Sequence, residues 1–325
     1  MLSYETIEKI IFTQRIIEFL SCIICFALNS YFAQKFGKIS ILNSNLRILL
    51  VSIHITTAVI ALIHPTVQLI PVSWYAVDNG QTLKAIFVYT LLFVTQVCVY
   101  LIDTKFLMVA IERHIAIHER VNYEKRDGTL AKRILFWTFS HQETSLDELL
   151  QLSLNIEHSP AMLICPHVVA VICWFIGAVK FHYLQVFTQE NYYNGKTLSE
   201  AYQIKQVDAV IKILKPLIVA YALLVACCCC LLVMVLYFVY IRGISLHSPF
   251  GLIFVNAIYI NVAWYNLFST GFLFFYYQPL RNAVIKDIYI ISGIRLKQNE
   301  VAPEEQLNAE ALRENHFEYL RNVWK

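Results

Sequence analysis

The sequence lacks the charge that a water-exposed surface needs. Only 15% of its 325 residues are charged, against roughly 25% in a typical soluble domain, while 58% belong to the hydrophobic set. A soluble enzyme and a coiled coil are excluded on that ground. Glycine (9) and proline (8) are scarce, which argues against disorder, collagen-like repeats and turn-rich β-sandwiches. Catalytic signatures are missing as well: there is no phosphate-cradling Gly-rich loop, no H-E-x-x-H and no G-x-S-x-G. Nor is there an ordered Arg series, a TVGYG filter or a symmetric pair of Gly/Pro-broken half-helices. No Asn-x-Ser/Thr sequon occurs. The chain is therefore not expected to be an enzyme, and no cofactor is expected. A net charge of +3 leaves no electrostatic footprint for nucleic acid.

Cysteine is present but in the wrong places for a framework. Cys22, Cys25, Cys98, Cys165, Cys173 and the run Cys227 to Cys230 all fall inside apolar stretches. Neither a disulfide scaffold nor a zinc site is supported. They read as small apolar residues facing lipid or neighbouring helices.

What is abundant is long apolar sequence. A spanning helix needs about 20 mostly apolar residues to cross roughly 30 Å of hydrocarbon, and six stretches qualify: 16–33, 46–71, 86–111, 161–187, 213–241 and 251–277. Aromatic residues mark several ends (Trp74, Tyr75, Tyr183, Tyr237, Tyr240, Tyr276, Tyr277), as interface anchors do. The expected fold is all-α: a polytopic transmembrane helical bundle over residues 1–292 and a cytosolic tail over 293–325. Glu5 and Glu8 precede the first span without a basic n-region, so that span reads as an uncleaved signal anchor.

Basic residues in short connections set orientation. Lys35, Lys38 and Arg47 lie in the first connection, Lys84 beside Asp78 in the second, and Arg113, Arg120, Lys125, Arg126, Lys132 and Arg133 in the third. This alternation places the first and third connections in the cytosol and the N-terminus outside. Six spans then leave the C-terminus outside too, yet the tail carries Arg281, Lys286, Arg295, Lys297, Arg313, Arg321 and Lys325, which favour the cytosol. Ile134 to Phe139 begins like a span, but residues 140–160 are too polar to continue it. Either a seventh span is missing, or a loop has been inserted and another segment lost.

The most informative stretch is 106–126, where a long apolar helix ends in Glu112-Arg113-His114. An acid beside an arginine at the cytosolic face can hold the guanidinium in one rotamer and release it toward a partner protein. A membrane-boundary arginine that snorkels is the plainer alternative. His114 and His118 share a helix face one turn apart, but the other histidines are isolated singles, so no metal site is expected.

Ionisable groups inside spans are costly and are candidate functional groups. Asp103 and Lys105 lie in the inner half of the third span on different faces. Glu18 sits near the outer end of the first span, Lys180 and His182 toward the outer end of the fourth, and Lys212, Lys215 and Asp208 at the outer start of the fifth. Tyr89, Thr90 and Gln96, with His54, are candidates to line a central cavity, and helix–helix hydrogen bonding explains them equally well. With Lys212 at the start of the fifth span they form the candidate ligand-binding set. After the last span, PLRNAVIKDIYII (279–291) reads as an amphipathic helix on the membrane surface. A second helical stretch follows Pro303, through Leu307, Leu312, Leu320 and Trp324.

The pattern E-R-x-x-A-x6-Y-E, met here as Glu112, Arg113, Ala116, Tyr123 and Glu124, resembles the signature of the nematode Sre-type serpentine chemoreceptors, within the Sra-related group. Trp74 after the second span and Pro279-Leu280-Arg281 after the last are also similar. The likeness covers residues 45–130 well and 250–292 loosely. It implies a seven-helix G-protein-coupled receptor exposed on the plasma membrane of sensory neurons, binding a small environmental chemical outside and a heterotrimeric G protein inside. Glu112, Arg113, Tyr123 and Glu124 would form the G-protein-facing latch. Two departures stand out: an overlong second cytosolic loop and no discernible sixth span between Arg242 and Phe250. The outer loops also lack the cysteine pair of many rhodopsin-like receptors. A membrane transporter or channel subunit, with Asp103, Lys180 and Glu18 as pathway groups, and a non-signalling receptor relative lacking one helix are the alternatives.

Overall fold

The computed structural model describes residues 4–38, 43–70, 74, 82–119, 128–143, 161–191, 198–243 and 248–292. These form α1 (Tyr4–Lys38), α2 (Ser44–Gln68), α3 (Thr82–His118), α4 (Thr129–Glu143), α5 (Ala161–Asn191), α6 (Leu198–Leu236, continued by a π turn over Tyr237–Ile241), α7 (Pro249–Tyr276) and α8 (Gln278–Ser292). No strand occurs among the described residues. Six of the helices, all but α4 and α8, are long and apolar enough to cross a membrane. Large apolar side chains such as Phe12, Phe175, Leu223 and Trp264 are exposed on them, a surface that lipid covers and water does not tolerate in such quantity. The chain is an all-α, multi-pass membrane protein.

Local chemistry starts the helices where they start. Asn43 caps α2 by accepting from the Asn45 N–H. Ser248 caps α7 by accepting from Gly251, with Pro249 in the first turn, where its missing N–H costs nothing. Pro65 and Pro216 lie inside α2 and α6, a placement that membrane helices accommodate through neighbouring groups.

Within residues 4–277 the long helices close a circuit: α1 packs on α2 and α7, α2 on α3, α3 on α5, α5 on α6, and α6 on α7. Side-chain pairs fix their directions. Gln14 Nε2 donates to the Ile253 carbonyl at 3.2 Å, Thr270 donates to Asn29 Oδ1 at 3.3 Å, and Phe36 stacks on Tyr277 with centroids 5.9 Å apart. Both numbers rise together, so α1 and α7 are parallel. Glu18 pairs with His64 and Asn29 with His54, so α2 opposes α1. Along α3 and α5, Gly177 abuts the Leu107 backbone, Tyr183 meets His114, and Phe187 meets His118. These two helices are also parallel. Tyr221 bonds Asp103 and faces Tyr265, while Phe238 packs edge-on against Phe250, so α6 opposes both α3 and α7.

A parallel α3 and α5 have a topological consequence. α3 ends at the Arg113 end of the bundle and α5 begins at the other, so the segment between His118 and Ala161 must return the chain across it. α4 is the described part of that return. Gly128 opens it with φ 71°, a left-handed conformation that favours glycine, and the Ala131 N–H donates to Asn45 Oδ1 at 3.1 Å. Leu130, Ala131 and Ile134 then share an apolar cluster with Leu49, Leu101, Met108 and Ala116.

Several expectations are corrected by these directions. The short traverse lies between α3 and α5, begun by the stretch that Ile134–Phe139 marks, and not between Arg242 and Phe250, where α6 passes directly into α7. Lys180 and His182 flank the level of Tyr183 and so lie toward the Arg113 end. Lys212, Lys215 and Asp208 do too, because Val210, Ile213 and Leu214 line a small cleft with Phe36, Leu46, Val109 and Tyr277. The last long helix finishes at the Arg113 end, beside the end of α1, and not at the opposite one. The physical reason is that α4, the described part of the return, has only fifteen residues, too few for apolar length to register as a crossing. By contacts the chain falls into two units, 1–277 and 278–325, and α8 coincides with the amphipathic run expected after the last span. Residues 293–325, including the stretch after Pro303, lie outside the described residues.

Two outcomes follow. Single cysteines at Glu119 and Gln189, exposed at the ends of α3 and α5, should react with an impermeant maleimide from the same side of sealed vesicles, whereas a strict six-span alternation puts them on opposite sides. At Gly177, an added Cβ would stand 3.2 Å from the Leu107 backbone nitrogen. Gly177→Leu should therefore wedge α3 from α5 and lower thermal stability by about 1–3 kcal/mol, read in a detergent unfolding assay.

Candidate functional site

Midway along the bundle is a cavity of about 190 Å³ lined from α1, α2, α3, α5, α6 and α7. Most of its wall is aliphatic, and its polar groups are few: Thr95 and Asp103 on α3, His64 on α2, Tyr221 on α6, and Tyr259, Tyr265 and Asn266 on α7.

Asp103 is half-buried and accepts a hydrogen bond from the Tyr221 hydroxyl at 2.6 Å. Lys105, two residues on, is turned well round the helix and makes no ion pair with it. Its Nζ lies over three rings instead, 5.3 Å from the centroids of Phe106 and Tyr221 and 4.5 Å from that of Tyr265. The negative π-faces supply the solvation that a buried ammonium otherwise lacks. Tyr221 serves both charges, bonding the carboxylate through its oxygen and the ammonium through its face. The Tyr265 hydroxyl is buried and has no hydrogen-bond partner among the described residues.

Two polar clamps flank the cavity. Glu18, buried on α1, holds His64 Nε2 at 2.8 Å, and the His64 ring packs on Tyr259 of α7 at 4.1 Å. Nearer the Arg113 end, His54 Nδ1 lies 2.7 Å from Asn29 Oδ1, which also receives the Thr270 hydroxyl. Each clamp joins α1, α2 and α7. His54 belongs to the second clamp and does not line the cavity.

Ten residues beyond Asp103, or about 15 Å along α3, Arg113 is fully buried and binds its neighbour Glu112 through two contacts, Nε to Oε2 and Nη2 to Oε1. A two-pronged guanidinium–carboxylate contact is the strongest pairing these groups make. Removing one partner of a buried pair leaves an uncompensated charge, at about 3–5 kcal/mol. A snorkelling arginine at the boundary is not what is found, since the head group is away from solvent.

The candidate ligand residues do not come together. Tyr89 is half-buried and Thr90 is exposed, its hydroxyl turned back to the Ile86 carbonyl at 2.8 Å. Neither lines the cavity, which α3 enters at Thr95. The Gln96 side chain lies outside the described residues. Lys212 is 75% exposed and pairs with Asp208 at 2.8 Å, roughly 30 Å from Tyr89 measured along α3. Tyr123 and Glu124, the other two latch residues, also lie outside the described residues. His114 and His118 meet at 4.1 Å between ring centroids, and no cluster of three or more metal-ligating side chains occurs among the described residues. Sequence reasoning picked out Asp103 as an intramembrane acid but missed Tyr221, Tyr265 and Asn266. Tyr221 and Tyr265 meet Asp103 and Lys105 from more than a hundred residues away, and an aromatic or amide in a span carries no local mark.

Neither a family model nor a curated protein matches the chain.

The Asp103–Tyr221 bond should appear in a double-mutant cycle. Tyr221→Phe alone should cost about 1–2 kcal/mol by stranding the carboxylate. Combined with Asp103→Leu, the two losses should fall short of additivity by at least about 0.5 kcal/mol. Strict additivity in thermal unfolding would mean that the bond contributes nothing.

Proposed function

We propose that the chain is a chemosensory G-protein-coupled receptor of the plasma membrane, with its N-terminus outside and the Arg113 end facing the cytosol. A small environmental chemical enters the mid-bundle cavity and a heterotrimeric G protein docks at the Arg113 end. The observation that carries this reading is the fully buried Glu112–Arg113 pair on the same helix as the cavity acid Asp103. The circuit of helices adds support. If α4 is counted as the described part of a shortened fourth traverse, the helices up to Tyr277 make seven passes, and α7 ends at the end where the latch sits. An odd number of passes is also what the basic residues after Tyr277 favour by composition. The E-R…Y-E resemblance agrees with both.

The mechanism is a population shift. In the resting state Glu112 occupies the guanidinium of Arg113. A ligand that prefers the state with Arg113 released shifts the equilibrium, and moving it from 1:99 to 99:1 takes about 5.5 kcal/mol of differential affinity. Tyr221 is placed to link the ends, because it touches the cavity, Asp103 and the Lys105 ammonium, and it sits on α6, which packs on α3, α5 and α7.

A second reading has one observation on its side. Asp103 and Lys105 are opposite charges at mid-bundle beside a cavity, as in transport pathways. Stimulus-independent flux in liposomes that Asp103→Asn abolishes decides for a transporter or channel subunit.

The receptor reading is tested by nucleotide exchange in vesicles containing the chain and a G protein. Glu112→Gln should raise basal exchange by loosening the pair. Arg113→Ala should reduce stimulated exchange at least about tenfold, the equivalent of 1.4 kcal/mol. Unchanged stimulated exchange in Arg113→Ala removes the latch.

A further inference from the structure

We infer that the mid-bundle cavity takes a small uncharged alcohol: a compact hydrocarbon body whose single hydroxyl donates to Asp103 and accepts from the Asn266 amide. The inference takes its stimulus site from the receptor reading and adds the chemical class of the stimulus.

Size comes first. A dry apolar cavity of about 150 Å³ holds benzene, so about 190 Å³ holds a ring with a short arm. The body is set by a wall of Ile60, Val99, Ile102, Leu224 and Val262, where additional polar atoms would lose their water without replacement.

The polar end is set by two groups. Asp103 has one oxygen engaged by Tyr221, its single hydrogen bond among the described residues, and its second oxygen is an acceptor awaiting a donor. Asn266 is 4% exposed and lines the same cavity. The hydrogen bonds it makes among the described residues, from Ser269 and Thr270, both go to its backbone carbonyl. Its side-chain amide makes no hydrogen bond among the described residues, and the neighbouring Tyr265 hydroxyl in the same wall is buried without a partner among them. A hydroxyl is the smallest group that donates to a carboxylate and accepts from an amide N–H at once. A ketone offers no donor to Asp103, and a hydrocarbon serves neither.

The charge is set by Lys105. Its ammonium is held against Tyr221 and Tyr265, rings that also line the cavity. Asp103 and Lys105 balance, so a cationic ligand would place a second positive charge next to the first and an anionic ligand a second negative charge beside Asp103. A neutral molecule leaves the balance intact.

The test uses the purified full chain in lipid nanodiscs, with tritiated 2-phenylethanol as the probe and the component displaced by excess unlabelled probe taken as binding. Ethylbenzene, which has the same body without the hydroxyl, and 2-phenylethylamine, which carries a cation in its place, serve as competitors. Each should compete about 5- to 10-fold less well than the alcohol. Asn266→Leu should bring the alcohol down to the level of ethylbenzene while leaving ethylbenzene competition in place. Equal competition by ethylbenzene in the native chain overturns the hydroxyl assignment. Tighter binding of the amine overturns the neutral class, and the absence of any displaceable binding overturns the site. The receptor reading fails separately: Asn266-dependent binding without stimulated nucleotide exchange removes the receptor and keeps the site. Stimulated exchange by another compound that Asn266→Leu does not alter removes the site and keeps the receptor.

Discussion

A carboxylate and an ammonium in the middle of an apolar bundle would each cost several kcal/mol if left bare. Here neither meets the other, and Tyr221 serves both: its hydroxyl bonds Asp103, and its ring shares the Lys105 ammonium with Phe106 and the nearer Tyr265. The phenol does for each charge what water does outside, and it does so from a different helix. Mid-bundle packing of α3 against α6 and α7 follows from that requirement. Phe106, Tyr221 and Tyr265 stand edge to face at 5.4 Å, the arrangement aromatic quadrupoles prefer, and the cavity is the space this aromatic group leaves beside the aliphatic wall.

The same logic recurs at smaller scale along α1. Glu18 with His64, and Asn29 with His54 and Thr270, are polar groups that lipid cannot serve, so they find partners on α2 and α7. In a membrane such bonds are modest in energy but specific in register. A sequence offset of 239 at the Gln14 contact and 241 at the Asn29 contact shows how closely α1 and α7 are kept in step. Nearer the end of α3, Glu112 and Arg113 solve the burial problem locally, each by its sequence neighbour, which makes that pair separable from the rest of the bundle in a way the Asp103 site is not.

Much of the architecture was legible beforehand. The six apolar stretches, the absence of strands among the described residues, the amphipathic run at 279–291 and the placement of Asp103 and Lys105 within a span all came from hydropathy and periodicity, because lipid forces backbone polar groups to pair within each segment. The reading failed where direction mattered. Apolar length counts crossings only when every crossing is long, and α4 is not. Its fifteen residues are the described part of a return that hydropathy does not count, and the spans of α5 and α6 were accordingly assigned the wrong way up. Lys212 was placed with Tyr89 for that reason alone. The candidate ligand residues also went astray because an exposed threonine such as Thr90 can satisfy its hydroxyl on its own helix, and nothing in the sequence distinguishes that from a cavity position.

By itself, then, the sequence determined the solvent of this protein, the number of long helices, the buried acids and bases, and the adjacency of Glu112 and Arg113, since each of these depends on residues near one another in the chain. The tertiary structure alone decided which end of each helix faces which, that Asp103 is answered by Tyr221 and Lys105 by three rings, and where a cavity remains. Those outcomes depend on side chains brought together from across more than a hundred residues, and apolar periodicity says only that a helix has a buried face, not what will be waiting on the other side of it.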